Sequence, residues 1–479
     1  MGKPQTLKIS LIERGKNLLS EPERPKLRES ELSGTDNPPS SVGPFHPPPI
    51  APNNLRVFQS MRNPVYRLFW FAMMGQMGAM NMQMVARSWY VYELTRSATV
   101  LGLIGIANGI PMLAFSLFGG VIADQIQKKY ILLAGQVASA VLAILIAGLI
   151  TLGIINWEIL LIASFFQGIV MALMMPARQA MIPEIVGQSG LTNAVALNVM
   201  GMNINRLLAP AVAGLLIALL GIDKVYYVMG GLYIVAVFFV SRIPRTSPMV
   251  LGGQGALKDL KNGIGYIKAH PILPGLLVLT LISVLFTMPY MMLLPMFTTD
   301  VITLEQNQLT WLLNLPLIGN SLGSFVDLLT DSAFRLGLLM TISGIGALGG
   351  SFAVAYMGQE KRGLAFLYSV LLTGGALLAL SVSNWYFISL LIIIPVGFGQ
   401  AARMALSNAL VQAYTEDSYR GRVMSIYMME FGITNFGVFG ISLLAEVVGV
   451  QWSIGSISAL MVIIGIYYLM FVRSIRNLD

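Results

Sequence analysis

GGVIADQIQKKYIL, Gly119 to Leu132, is a small-residue helix end that runs through an acid into a basic turn and on into the next apolar run. Gly119, Gly120 and Ala123 let two helices approach closely, Asp124 can face the positive N-terminus of another helix, and Lys128 and Lys129 hold the turn at a membrane surface. Such a cluster can latch one state of a moving protein. The plainer alternative is a helix end whose lysines snorkel to water.

Composition places this stretch in a membrane. The chain has 479 residues, 56% hydrophobic and 11% charged, too apolar for a soluble protein of that size. Its formal charge of +8 lies in short loops between apolar runs, a pattern that sets orientation and predicts no nucleic acid or other anionic partner. With no cysteine, disulfides, thiolate catalysis and thiolate-held metals are excluded. The two histidines, His46 and His270, fall in segments expected at the cytoplasmic side, so a His-ligated metal or intramembrane His relay is not expected. No metal or other cofactor is predicted.

Residues 1–60 hold ten of the 23 prolines with mixed charges and lack the apolar run of a signal peptide, which predicts a disordered cytoplasmic tail. Twelve apolar runs follow, each long enough for a bilayer that needs about 20 residues. They lie near 66–92, 98–122, 130–152, 157–181, 191–220 and 224–242, then 272–299, 333–357, 363–382, 385–413, 421–448 and 451–472. The expected fold is all-α, with twelve transmembrane helices in two pseudo-symmetric six-helix bundles, 61–242 and 272–479, joined by a linker at 243–271. Lys and Arg concentrate on one side while the opposite loops hold Arg96 and Lys224, which predicts both termini in the cytoplasm of a multi-pass inner-membrane protein.

Three further features refine this plan. Residues 309–330 are apolar, but a thirteenth crossing would move six basic residues outside, so 301–331 reads as an interfacial insertion at the outer surface. Leu257, Leu260, Ile264 and Ile267 at helical spacing, with lysines opposite, predict an amphipathic linker helix. Ser97–Leu113 aligns with Ser332–Leu348 at an offset of 235, and the stretch from Ser189 with that from Ser418 at an offset of 229, an internal repeat.

The opening loop resembles the signature between helices 2 and 3 of the major facilitator superfamily, roughly G-x-x-x-D-x-x-G-R-[KR]. SWYVYELT at Ser88–Thr95, PARQAMIPEIV at Pro176–Val186, LNVMGMNINRLLAPAVAGLL at Leu197–Leu216 and YRGRVMSIY at Tyr419–Tyr427 resemble its twelve-helix exporter branch, which includes macrolide-efflux proteins and the enterobactin exporter. APAVAG at Ala209–Gly214 is similar to the exporters' G-P-x-x-x-G element, with Ala209 in place of the first Gly. The resemblance implies alternating access, two bundles rocking about a site lined mainly by helices 1, 4, 7 and 10. It also implies a latch of Gly119, Gly120, Asp124, Lys128 and Lys129 against the start of helix 11 near Arg420, Gly421 and Arg422. The second half has Gln359 opposite Asp124, so the latch is expected to be one-sided.

Charges inside a bilayer are costly and mark candidates. Arg206 lies about 15 residues into helix 5, roughly 22 Å deep. Glu430 lies about nine residues into helix 11, the one acid placed deep in a span, or roughly 13 Å. A titrating Glu430 with Arg206 as its partner, or Arg206 orienting substrate, is one reading; a polar contact fixing helix packing is the other. Gln76, Asn81 and Gln83 in helix 1, Asn108, Gln167, Asn203 and Gln400 stand at inner depth as candidate substrate or proton groups, with Arg403 nearer the cytoplasmic end of helix 10. Tyr290, Trp89 and Tyr66 either add aromatic surface or anchor helices at the interface. Methionines crowd helices 1, 4 and 7 and are absent from helices 3 and 9, which suits a cavity for varied apolar ligands as well as simple gap-filling. The branch's acid near Met80 is missing here, which weakens the expectation of proton coupling.

The leading expectation is a secondary exporter of small amphipathic or apolar compounds, a monomer in the lipid bilayer with protons as coupling ion. A dedicated exporter of one metabolite such as a siderophore, or a transport-inactive sensor or scaffold, are the alternatives. No nucleophile–base pair or phosphate-cradling G-x-x-x-x-G-K-[ST] supports an enzyme or a primary pump.

Overall fold

The computed structural model describes residues 56–244, 256–302, 328–358 and 360–478. The tail at 1–55 and most of the 301–331 insertion lie outside the described residues, as does Gln359. Side chains at 116–125, which include Gly119, Gly120 and Asp124, are outside them too.

A 3₁₀ turn, Arg56–Arg62, leads into α1, Pro64–Thr95. Asn63 starts this helix by accepting from the amides of Val65 and Tyr66, with Pro64 at the first helical position; Arg96, in the left-handed region at φ 49°, ends it. Then come α2 (Ala98–Gln125), α3 (Lys128–Thr151), α4 (Trp157–Gly187), α5 (Asn193–Leu220) and α6 (Ile222–Ser241). The second half holds α7 (Leu273–Thr287 and Tyr290–Met296), α8 (Ser332–Tyr356), α9 (Arg362–Ser381), α10 (Tyr386–Ala413), α11 (Asp417–Met428 and Glu430–Val448) and α12 (Val450–Phe471). Among the described residues, eleven spans are long and apolar enough to cross a membrane. α1 makes the twelfth: Gln76, Asn81, Gln83 and Arg87 lower its hydropathy, yet its 32 residues reach about 48 Å and pack along α4, α5 and α6.

The repeat is visible in backbone conformation. Gly221, between α5 and α6, has φ 93° and ψ 162°; Gly449, between α11 and α12, has φ 84° and ψ 159°. Both chain reversals need a left-handed residue at the corresponding place in the two halves. Lipid-facing apolar surface is carried by α3, through Val141 and Leu145, and by α9, through Tyr368 and Leu372.

Among the described residues, the bundles meet most extensively along two helix pairs, α5 with α8 and α2 with α11. Glycines let them close. A Cβ on Gly337 would lie 2.7 Å from the Pro210 carbonyl oxygen, and one on Gly102 would lie 2.7 Å from the Ser442 Cβ. Gly214 of the APAVAG element sits against Gly337 at this contact.

Two continuous spans carry a local irregularity, α7 at Met288–Pro289 and α11 at Met429, where the backbone stays in the right-handed helical region. Proline at 289 cannot donate to the helical ladder, which accounts for the first; no proline or glycine stands at the second.

Between the halves, Ala256–Ala269 forms the expected amphipathic helix. Its Tyr266 stacks on Tyr419 of α11, with ring centroids 4.2 Å apart and planes 8° from parallel. The face carrying this linker is the linker face, and the other the far face.

Candidate transport site

Glu430 follows the irregular turn at Met429 in α11, and Tyr290 follows the one at Met288–Pro289 in α7. α10, packed between them, supplies Gln400 and Arg403. Arg403 is only 1% exposed and donates from Nη1 to the Ser283 hydroxyl at 3.1 Å, while its Nε has no partner. Glu430, 5% exposed, faces the Arg403 charge and the Tyr427 hydroxyl, and Tyr427 in turn pairs with Ser407 at 2.9 Å.

Arg206 reaches this cluster from the other bundle. Its Nη2 donates to Gln400 Oε1 at 2.9 Å, and the Gln400 amide group donates to the Met288 sulfur at 3.2 Å, at the α7 irregularity. Arg206 and Arg403 are near enough for their charges to oppose each other. The Tyr290 and Ser343 hydroxyls adjoin beside Arg206; both are buried and neither makes a hydrogen bond of good geometry. The result is a polar cluster at mid-depth that draws on α5, α7, α8, α10 and α11.

Several expected contacts are rearranged. Glu430 is partnered by Arg403 of the same bundle, with Arg206 held by Gln400 instead. Arg403, nearer the Ala413 end of α10 as expected, is itself part of the cluster. Tyr290 is fully buried and anchors no interface. Asn203 lies one turn from Arg206 on the same side of α5. The α1 and α4 amides do not join: Gln136 donates to Gln76 at 3.1 Å, Gln167 to Ser139 at 3.4 Å, and Asn81 back to the Met77 carbonyl at 2.8 Å. Gln83 is buried in the first bundle as well. These side chains satisfy helix packing there. The methionines divide: Met73, Met77, Met82 and Met174 are buried filler, with Met174 lying on Gly135, whereas Met80 is 45% exposed.

The basic turn also differs from its reading. Lys128 does not snorkel; it is 3% exposed and forms a buried ion pair with Glu184 at the end of α4. Lys129 donates to the Ser241 and Ile243 carbonyls and so caps the end of α6. Of the expected latch partners, Arg422 stacks over the Tyr419 ring at 5.4 Å, and its Cβ lies beside Gly263 of the linker helix. The glycines and the Asp124 side chain lie outside the described side chains.

Sequence reading missed three groups. Arg87, about two turns before the end of α1, donates to Ser164 at 3.1 Å and adjoins Tyr226 and Tyr233. A charge within an apolar run is a readable signal, and this one was passed over. Glu184 fell just beyond the expected end of helix 4. Glu446, near the far-face end of α11, accepts from the Ser97 hydroxyl and the Thr99 amide, both at 3.0 Å, and so caps the start of α2 in the opposite bundle.

Glu446 belongs to a far-face seal. Trp89 Nε1 donates to the Ser332 hydroxyl at 3.0 Å, and the Tyr92 hydroxyl to the Asp300 carboxylate, both between bundles. Such a cap is worth about 0.3–1 kcal/mol, so Glu446→Gln should raise far-face opening about two- to fivefold. The readout is thiol labelling of a single cysteine placed at Ala98, 1% exposed beside the seal. An unchanged labelling rate would remove Glu446 from the seal.

A family model described as "Transmembrane secretion effector" matches residues 56–326, more than half of the chain, and one described as "Major Facilitator Superfamily" matches residues 315–477. The chain belongs to the major facilitator superfamily. Superfamily relatives match along most of its length. The Staphyloferrin A transporter of Staphylococcus aureus is 25% identical over 400 residues, 80% of this chain and 91% of that protein. The Multidrug efflux pump Tap of Mycolicibacterium fortuitum is 23% identical, covering 82% of this chain and 92% of Tap. The Enterobactin exporter EntS of Escherichia coli is 22% identical, covering 87% and 93%. Among solved structures, a bacterial homologue of the human lysosomal transporter Spinster, inward-facing and unoccupied, superposes with a TM-score of 0.65 at 13% identity, over 86% of this chain and 97% of that one. Like its superfamily relatives, the protein is a multi-pass membrane transporter and not an enzyme.

Proposed function

We propose that the protein exports small amphipathic organic molecules across the cytoplasmic membrane by alternating access, driven by proton entry. The observation that carries this reading is the Arg206–Gln400 hydrogen bond, which joins the two bundles at mid-depth. A cluster shared between two rocking bodies is rebuilt each time they move, so its occupancy and its protonation can be coupled to the motion. Export as the direction is supported by relatives described as efflux pumps and exporters. The distribution of Lys and Arg supports the linker face and both termini as cytoplasmic, so the far-face seal would be the outer one. In that orientation the molecule is closed to the outside.

Glu430 is proposed as the proton carrier. It is the carboxylate inside the cluster, balanced by Arg403, and protonation would release that balance. In proteoliposomes with an imposed pH gradient, Glu430→Gln should lose at least about tenfold in gradient-driven efflux of a fluorescent substrate, as loss of a positioned proton-transfer group does. Substrate exchange without a gradient should survive. Full gradient-driven efflux by the variant would sink proton coupling through Glu430. A dedicated metabolite exporter is the second reading, favoured by the Staphyloferrin A transporter matching over 91% of its own length; a narrow response in a compound panel would select it.

A further inference from the structure

Building on the export reading, we infer that the central site is selective for organic anions, with Arg206 receiving a substrate carboxylate in place of Gln400. The argument starts from charge. Among the described side chains, Arg87, Arg178, Arg206, Arg335 and Arg403 are cations drawn into the bundles, and Glu430 is an acid that faces one of them, Arg403. Glu430 faces Arg403, whereas the neighbours of Arg206 are the Gln400 amide and the Tyr290 phenol, both neutral. A guanidinium held out of bulk water by neutral partners is costly, and a carboxylate is the partner that would offset the cost.

Geometry agrees with the charge. Arg403 is buried to 1% exposure and held by Ser283, so it orients Glu430 and lies out of reach of a ligand. Arg206 retains partial exposure and is held by a single amide oxygen at 2.9 Å. A guanidinium offers a fork of five donors that matches a carboxylate with two parallel bonds, which an amide oxygen cannot supply. Beside it stand the Tyr290 and Ser343 hydroxyls, buried and unsatisfied, ready to donate to the same anion. Met288, at the α7 irregularity, gives the adjoining apolar surface that the body of an amphipathic molecule requires. Exchange of Gln400 for substrate would also cut the hydrogen bond between bundles, so binding and release of the bundles become one event.

The test uses the purified full-length protein in nanodiscs and two probes of equal size, 1-pyrenebutyrate and its uncharged amide. The carboxylate should bind about tenfold more tightly, as expected for a charge-assisted pair. Arg206→Gln should erase that preference, so that the two probes bind alike, and Arg206→Lys should keep part of it. Equal affinity for both probes, no binding of either, or an unaltered preference in Arg206→Gln would overturn the inference. Efflux of the same probes from proteoliposomes separates the two readings: an exported amide without carboxylate preference leaves the exporter and removes the anion site. A bound carboxylate that is never moved does the reverse.

Discussion

A Glu184→Ala protein should be destabilised by about 3–5 kcal/mol, the usual cost of removing one member of a buried ion pair. Lys128 lies at the start of α3 and Glu184 at the end of α4, both nearly without exposure, so the alanine leaves an ammonium with no countercharge in a site closed to water. The loss should appear as a lower midpoint of thermal unfolding in detergent, followed by tryptophan fluorescence. A paired replacement, Lys128→Met with Glu184→Leu, removes both charges and fills a similar volume, and should recover most of the stability. If the single variant unfolds at the parent temperature, the pair is not sealed from solvent and Lys128 returns to being a surface anchor. Recovery in the double variant would also place the function of this turn in holding α3 to α4, separate from any gating by Asp124.

The second large effect is conformational. Gly337→Val puts branched carbon where the Pro210 carbonyl oxygen is already 2.7 Å from an ideal Cβ and the Gly214 Cα 3.0 Å. Overpacking of this kind costs about 1–3 kcal/mol, and here it falls on a contact that exists only while α5 and α8 are closed on the far face. The equilibrium should move toward far-face opening by roughly 5- to 150-fold. The chain has no cysteine, so a single Ala98→Cys reports this through an impermeant maleimide without background labelling. Gly375→Val in α9, where an added Cβ meets nothing within 4 Å, is the control and should label at the parent rate. Labelling of Gly337→Val at the control rate would mean that the two helices separate little during the cycle.

Fold and site were unequally legible in the sequence, for physical reasons. Apolar runs of fixed length report membrane crossing directly, and the half-chain repeat reports the two bundles, since both are properties of long segments. Arg206 and Glu430 were visible because charge is rare in such segments. Their partners were not. Which residue Glu430 faces depends on how α11 packs against its neighbours, which no local pattern in the sequence marks. Gln76 and Gln167 had the same composition signal as Gln400, yet the first two bond within the first bundle while Gln400, in the second, bonds across to Arg206 of the first. Lys128 was misread because sequence shows that a lysine ends a helix but not that Glu184 is folded back to meet it. Arg87 was legible and overlooked.

Glu446 gives the seal one more property. Unlike Glu184 or Glu430, it is exposed to the medium while it caps α2. Attraction between a solvent-facing carboxylate and a helix end fades as ions crowd around it, over a screening distance of about 10 Å at 0.1 M salt and about 3 Å at 1 M. The buried charges at mid-depth have no such sensitivity. Raising salt outside should therefore loosen the seal in the parent protein and do nothing further in Glu446→Gln, so that the composition of the surroundings, and not only the cargo, sets how long the transporter waits closed.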